Sequence, residues 1–137
     1  MRLYAFTAKF HANVQAVHEK TLEVTCEERL TPRGDCVVLT HSTHEPSVLE
    51  RLCIEGSRGY LVIVSRFGSF WLEGTCAPVK VGCSFVIRKS SSRAPRTLMI
   101  NADKASKDVP REMVRKASLW GSKALVILAV DEGSVEY

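Results

Sequence analysis

Long apolar runs are missing from this sequence. Stretches such as Leu61 to Val64 and Ala124 to Val130 fall far short of the roughly 20 residues that cross a bilayer, so no membrane partner is expected. The opening Met1-Arg2-Leu3-Tyr4-Ala5-Phe6 is soon followed by Lys9 and His11 and lacks a secretory apolar core and cleavage site, which makes a cytoplasmic location the expectation. No C-x-x-C pair occurs. The five cysteines, Cys26, Cys36, Cys53, Cys76 and Cys83, are odd in number, which argues against a secreted disulfide framework and a zinc ribbon. They are expected as small core residues, with a Cys76–Cys83 bridge across a hairpin left open because spacing alone does not fix geometry. Also missing are a glycine-rich phosphate cradle followed by Lys-Ser/Thr, a nucleophile elbow and paired ribonucleoprotein motifs.

What remains is a composition that folds. At 137 residues, 45% hydrophobic and 25% charged, the chain reads as one domain, 1–137, able to bury its own core without a metal or cofactor.

The chain also repeats itself. Gly56-Ser57-Arg58-Gly59-Tyr60-Leu61-Val62-Ile63-Val64 matches Gly121-Ser122-Lys123-Ala124-Leu125-Val126-Ile127-Leu128 once one residue is skipped, and Pro32-Arg33 before a strand matches Pro95-Arg96 before another. Two halves follow, approximately 1–67 and 68–132. In the first, Arg2 to Phe10, Gln15 to Thr25 and Cys36 to Thr40 read as strands. Pro46 opens a helix with Val48, Leu49, Leu52 and Cys53 on one face, Ser42 or Thr43 as its cap and Gly56 as its end. In the second, Ser69 to Glu73, Ser84 to Arg88, Thr97 to Ala102 and Ala124 to Val130 read as strands. Asp108 is expected to cap a helix with Pro110 in its first turn, Val109, Met113, Val114, Ala117 and Trp120 facing the core, and Lys107, Arg111 and Arg115 forming an outer basic stripe. Asp131 to Tyr137 reads as a frayed tail. The expected fold is mainly β (α+β): a pseudo-two-fold β-sandwich or partly closed barrel of two duplicated halves with two packed helices.

Charge is segregated along the chain. Between Arg88 and Lys123 lie ten Lys or Arg against three carboxylates, a net +7, whereas the remainder carries −3. Within that basic part, Val86 to Thr97 runs from a strand through an Arg/Lys/Ser-rich loop into a strand. Guanidinium forks, hydroxyls and turn amides are the groups that hold phosphate oxygens. The candidate phosphate-binding residues are therefore Arg88, Lys89, Ser90, Arg93 and Arg96, extended by Lys104, Lys107, Arg111 and Arg115. Phe67, Phe70, Trp71 and Phe85 lie nearby in sequence and are expected mostly in the core, Trp71 being the least secure. A second constellation, His11, His18, Glu23, Asp35, Cys36, Asp103 and Lys104, has residue types suited to acid-base chemistry but no spacing that brings them together. His41 and His44 form H-x-x-H without supporting ligands, and no metal is expected.

Several strings together resemble an archaeal family known as domain of unknown function 371. They are His11 with Asn13-Val14, His18, Thr21-Leu22-Glu23-Val24-Thr25, Leu30 to Cys36, Ile87-Arg88-Lys89-Ser90-Ser91, Arg96-Thr97-Leu98 and Ala102-Asp103-Lys104-Ala105. The resemblance implies an archaeal cytoplasmic protein and a compact β-rich domain, without an activity to carry over. Family members tend to show an Ala-Asp-Lys-Ala-like string in both halves; here the first copy reads Thr40-His41-Ser42-Thr43, which weighs against two equivalent sites.

The expected function is non-catalytic RNA association through the phosphate backbone, with the translation machinery as a candidate partner. The alternative is an enzyme acting on a small phosphorylated or anionic substrate, with Arg88, Lys89 and Arg96 holding the anion and Asp103, Lys104 or His18 moving protons. A third reading is a module that binds an acidic protein.

Overall fold

The structure is a computed structural model that describes residues 1–31 and 34–131, so the Pro32-Arg33 turn and all but the first residue of the expected tail lie outside the described residues. Eight strands form one continuous sheet: β1 (Arg2–Lys9), β2 (Thr21–Thr25), β3 (Val37–Leu39), β4 (Arg58–Ser65), β5 (Gly68–Cys76), β6 (Ser84–Arg88), β7 (Thr97–Ile100) and β8 (Lys123–Val130). Two helices accompany it, α1 (Pro46–Leu52) and α2 (Arg111–Trp120). This is a β-rich α+β fold. The strand order is β1-β8-β4-β5-β7-β6-β2-β3, one sheet rather than two stacked ones. It is not closed into a barrel: among the described residues no ladder joins β1 to β3, and the chain just beyond β3 meets β1 through a bridge between Lys9 and Thr40 and hydrogen bonds between Thr7 and Thr43.

Counted around that bridge, the strand order is unchanged when β1, β2, β3 and β4 are exchanged for β5, β6, β7 and β8. The symmetric contacts are the antiparallel pairs β4–β8 and β2–β6. Gly56 and Gly121, which precede β4 and β8, both have positive φ, +86° and +56°, a conformation that a Cβ disfavours.

Alternation along the strands builds the core. Phe6 and Ala8, Leu22 and Val24, Leu61 and Ile63, Phe70 and Leu72, Phe85 and Ile87, and Val126 and Leu128 are all buried, each pair separated by one residue pointing the other way. Burying each of the larger of these side chains contributes about 1.5–3 kcal/mol before entropy is counted. Leu49 of α1 and Met113, Val114 and Ala117 of α2 complete the cluster.

Several local expectations need correction. Gln15 to Lys20 is not strand, because Ala16 adopts φ +52°, which interrupts an extended chain. α1 is capped by Glu45 without a side-chain bond, and ends at Cys53, before Gly56. Asp108 does not cap α2: it ends a 3-10 turn (Ser106–Asp108) and accepts the Ala105 N–H at 2.8 Å, while Pro110 is the residue preceding α2. Lys107 therefore lies off the helix, and no three-residue stripe with Arg111 and Arg115 exists. Trp120 is 72% exposed, since α2 ends there and the chain turns away at Gly121. Cys83 bonds Cys26, where the β2–β6 ladder continues past Thr25–Ser84, with Cα atoms 5.1 Å apart. Cys76 bonds Cys53, where the end of β5 meets the end of α1, with Cα atoms 5.3 Å apart. Cys76 and Cys83 are thus not joined, and Cys36 is the free thiol.

Candidate functional site

The charges that separate along the chain do not separate in space. Five of the eight expected phosphate-binding cations are ion-paired: Lys89 with Asp108 at 3.2 Å, Arg93 with Glu55, Arg96 with Glu23 at 3.3 Å, Lys107 with Glu19 at 3.2 Å and Arg115 with Glu112 at 2.8 Å. Three of those carboxylates, Glu19, Glu23 and Glu55, come from the first half. The fold lays that half onto the basic segment.

The other three cations are held by neutral groups. Arg88 Nε donates to Thr97 Oγ1 at 2.8 Å. Lys104 Nζ donates to the Trp71 carbonyl at 2.8 Å and sits 4.2 Å from the centre of the Trp71 ring, a cation–π contact. Arg111 clamps backbone: its guanidinium donates to the carbonyls of Val109, Ser106 and Gln15. That clamp fixes the 3-10 turn against the chain before β2.

The turn in turn builds a cleft. Lys107 N–H and Ser106 Oγ–H both donate to the His18 carbonyl, at 3.1 and 3.0 Å, so the turn is pinned beside Glu19 and Lys20. Lys89 N–H donates to the Lys20 carbonyl at 2.8 Å, and the Ser90 carbonyl accepts Asn101 N–H at 2.9 Å, which sets the end of β6 as the opposite wall. Together Glu19, Lys20, Lys89, Ser90, Lys107 and Asp108 line a cleft of about 600 Å³, within the usual range for a small ligand. Three lysines and a serine line it, and two carboxylates sit among them as counter-charges, Asp108 to Lys89 and Glu19 to Lys107.

Those carboxylates are held ionised. The Lys107 ammonium bonded to Glu19 pulls its pKa below the ordinary range. Asp108 is lowered first by the Ala105 N–H and then by Lys89. A ligand anion would therefore compete with two standing carboxylates for the same ammonium groups. Because these pairs are exposed to water their attraction is screened, and exchange for a more highly charged phosphate is feasible.

Of the expected residues, Lys89, Ser90 and Lys107 meet at the cleft, whereas Arg88, Arg93, Arg96, Lys104, Arg111 and Arg115 do not line it. Lys20 was outside the expectation, since it lies far from the basic segment in sequence and immediately precedes the Thr21–Thr25 string; only its contact with the end of β6 reveals it. Of the acid-base constellation, Glu23 and Cys36 meet, the thiol donating to Glu23 Oε1 at 3.6 Å. Burial first, then the Glu23 charge, push the Cys36 pKa up to about 11, so it is a protonated thiol at neutral pH and no nucleophile. His18 Nδ1 accepts the N–H groups of Lys20 and Thr21 as a turn cap. Asp103 lies elsewhere, accepting Glu73 N–H at 2.8 Å. His41 and His44 precede α1 instead of sharing a helical face, and no cluster of metal-ligating side chains occurs among the described residues.

Phe70 and Phe85 are buried and Phe67 partly so, while Trp71 is 52% exposed. No helix among the described residues is long and apolar enough to cross a membrane.

Comparison with known proteins adds relatives. The profile of the family described as Domain of unknown function (DUF371) matches residues 6–131. An uncharacterized protein of Methanocaldococcus jannaschii is 34% identical over 120 residues, covering 82% of this chain and 89% of the relative.

Proposed function

Because the chain belongs to this archaeal family, whose description names no activity, we propose a function from the cleft itself: non-catalytic binding of a phosphate-bearing ligand by Lys20, Lys89, Lys107 and Ser90. The observation that carries the reading is that three lysines, from the β1–β2 loop, the end of β6 and the 3-10 turn, line one cleft of about 600 Å³. Phosphate oxygens would replace Glu19 and Asp108 as the lysines' partners, and the Ser90 hydroxyl would complete the contact. RNA backbone, including that of the translation machinery, and a small phosphorylated molecule present the same chemistry. The compact cleft favours a short stretch of phosphates over an extended footprint, since Arg96 and Arg111 are already engaged within the fold. A cytoplasmic location belongs to this reading, and the two disulfides are compatible with it because intracellular proteins of hyperthermophilic archaea carry them.

The test uses inorganic pyrophosphate and a labelled single-stranded RNA oligonucleotide, each titrated into the wild type and the Lys89→Ala/Lys107→Ala double variant over a range of salt. Binding should weaken with salt, and the double variant should lose affinity and flatten the slope by on the order of 0.7 per lost RNA phosphate contact. Pyrophosphate that binds and displaces RNA identifies a small-phosphate site; RNA that binds without such competition identifies a backbone site. Absence of both interactions, or a double variant indistinguishable from wild type, overturns the proposal.

A further inference from the structure

The residues that line the cleft, Glu19, Lys20, Lys89, Ser90, Lys107 and Asp108, include no aromatic or aliphatic side chain. A nucleobase or an acyl chain finds no surface to stack on there, so a ligand is recognised through its polar atoms. The three lysines and Ser90 suit its phosphate. That leaves the two carboxylates, which respond differently when a phosphate arrives.

Glu19 is tied to the cleft through Oε1 by Lys107, and its side chain is 73% exposed. Once a phosphate takes Lys107, Glu19 is free to swing into water. Asp108 is not. Its side chain is 39% exposed, and its Oδ2 accepts the Ala105 N–H at 2.8 Å while facing the Lys89 ammonium at 3.2 Å. The bond to Ala105 keeps the carboxylate on the cleft wall whatever becomes of Lys89. The same N–H holds it ionised, so a bound phosphate faces a fixed negative charge. The other oxygen, Asp108 Oδ1, carries no hydrogen bond among the described residues. A fixed carboxylate beside an anionic ligand is stabilised by a donor that the ligand itself brings.

A ligand ammonium would stand among Lys20, Lys89 and Lys107. A hydroxyl donates without adding charge. On the phosphate reading of the cleft, which this step rests on, we propose that the ligand is a phosphate ester with a hydroxyl on a neighbouring carbon. The lysines and Ser90 hold its phosphate, and its hydroxyl donates to Asp108 Oδ1. Because Lys89 and Asp108 are in contact, the phosphate and the hydroxyl must lie close together on the ligand. They do so in a polyol or sugar phosphate, and in RNA where the ribose 2′-hydroxyl adjoins the 3′-phosphate. Both sources present the same pair of groups.

Calorimetric titration compares glycerol 3-phosphate with n-propyl phosphate, which lacks the hydroxyls. The wild type should bind glycerol 3-phosphate on the order of fivefold more tightly. In Asp108→Asn the amide oxygen is needed by the Ala105 N–H, so the NH2 group takes the place of Oδ1 and an acceptor becomes a donor. The preference should then vanish. Glu19→Gln removes the same charge without touching that acceptor, and should raise affinity for both esters while the preference stays. Circular dichroism shows whether the variants fold. Ribo- and deoxyribo-oligonucleotides of matched sequence identify the source. RNA preferred over DNA by the wild type but not by Asp108→Asn assigns the hydroxyl to ribose; a preference confined to glycerol 3-phosphate assigns it to a free polyol phosphate. Equal binding within both pairs, a preference that survives Asp108→Asn, or tighter binding of O-phosphoethanolamine than of glycerol 3-phosphate overturns the proposal and leaves the phosphate reading standing. Failure of every ester and oligonucleotide to bind removes both.

Discussion

Two corners of the molecule share one backbone frame and differ in what fills it. In the second half, Lys89 N–H donates to Lys20 O, Asn101 N–H to Ser90 O, and Ala102 N–H to Arg88 O. In the first, Cys26 N–H donates to Cys83 O, His41 N–H to Glu27 O, and Ser42 N–H to Thr25 O. Asn101 and His41 even share a positive φ, +52° and +55°. Asp103 accepts Glu73 N–H where Thr43 Oγ1 accepts Thr7 N–H, so the departure from the Ala-Asp-Lys-Ala-like string keeps the hydrogen bond and drops the charge. Yet the first corner is joined by the Cys26–Cys83 disulfide and filled by His44, whereas the second carries lysines and the added 3-10 turn. A frame this tolerant makes one copy a joint and leaves the other as a cleft.

Breaking the joint should have the largest effect. Cys26→Ser opens a cross-link between residues 57 apart and should cost about 2–4 kcal/mol, read by denaturant unfolding, while pyrophosphate affinity stays at the wild-type value. An equal loss of affinity would mean that the corners are coupled. His44 gives a smaller, pH-dependent version. Its Nε2–H donates to Gly82 O at 2.9 Å and its Nδ1 accepts the Ser42 hydroxyl at 2.6 Å, with the ring packed between Phe6 and Phe85. Burial lowers its pKa, outweighing the Gly82 carbonyl that raises it. The neutral ring is therefore favoured by folding: its contribution is complete above the unfolded value of about 6.5 and is lost as pH falls from there towards the lower folded value. Stability should decline over that window by up to about 1.4 kcal/mol per pH unit, and His44→Gln should remove that part of the slope.

How far these corners could be read from sequence depends on whether the signal is local. Ser84–Arg88 is a strand to the residue, and Gly56 with Gly121 and the Pro46 helix start follow from composition at a few positions. The β-rich class follows from alternation. Trp120 misled because helical spacing says which face a residue shares but not where the body it packs against stops. Disulfide partners, and the crossing of Glu19, Glu23 and Glu55 onto the basic segment, depend on which strands are neighbours, and no run of residues records that. Lys20 was hidden for the same reason: its neighbour in the cleft is 69 residues away in Lys89.

On the cleft side, Asp108→Asn separates the two jobs of one carboxylate. It weakens acceptance of the Ala105 N–H and should cost about 0.5–1 kcal/mol, in line with a weakened cap. It also frees Lys89 from an ion pair, so pyrophosphate affinity should rise severalfold while stability falls. Glu19→Gln should raise affinity in the same direction without touching the turn. Because the pKa of Asp108 is lowered, its stabilisation is present above about 3.9 and disappears as pH falls through the depressed folded value.

The smallest effect separates the cleft from the neighbouring outer strand surface. Cys36, half-buried beside Glu23, is held protonated with a pKa of about 11, so iodoacetamide at neutral pH should alkylate it far more slowly than a free cysteine of pKa about 8.5. Glu23→Gln removes the charge and the hydrogen bond that raise that value, leaving burial as the main restraint, and alkylation should accelerate modestly while pyrophosphate binding is unchanged. If ligand binding instead protected Cys36 or shifted with Glu23, the Arg96–Glu23 pair would belong to the binding surface, and the phosphate footprint would extend from the cleft onto the outer face of β2 and β6.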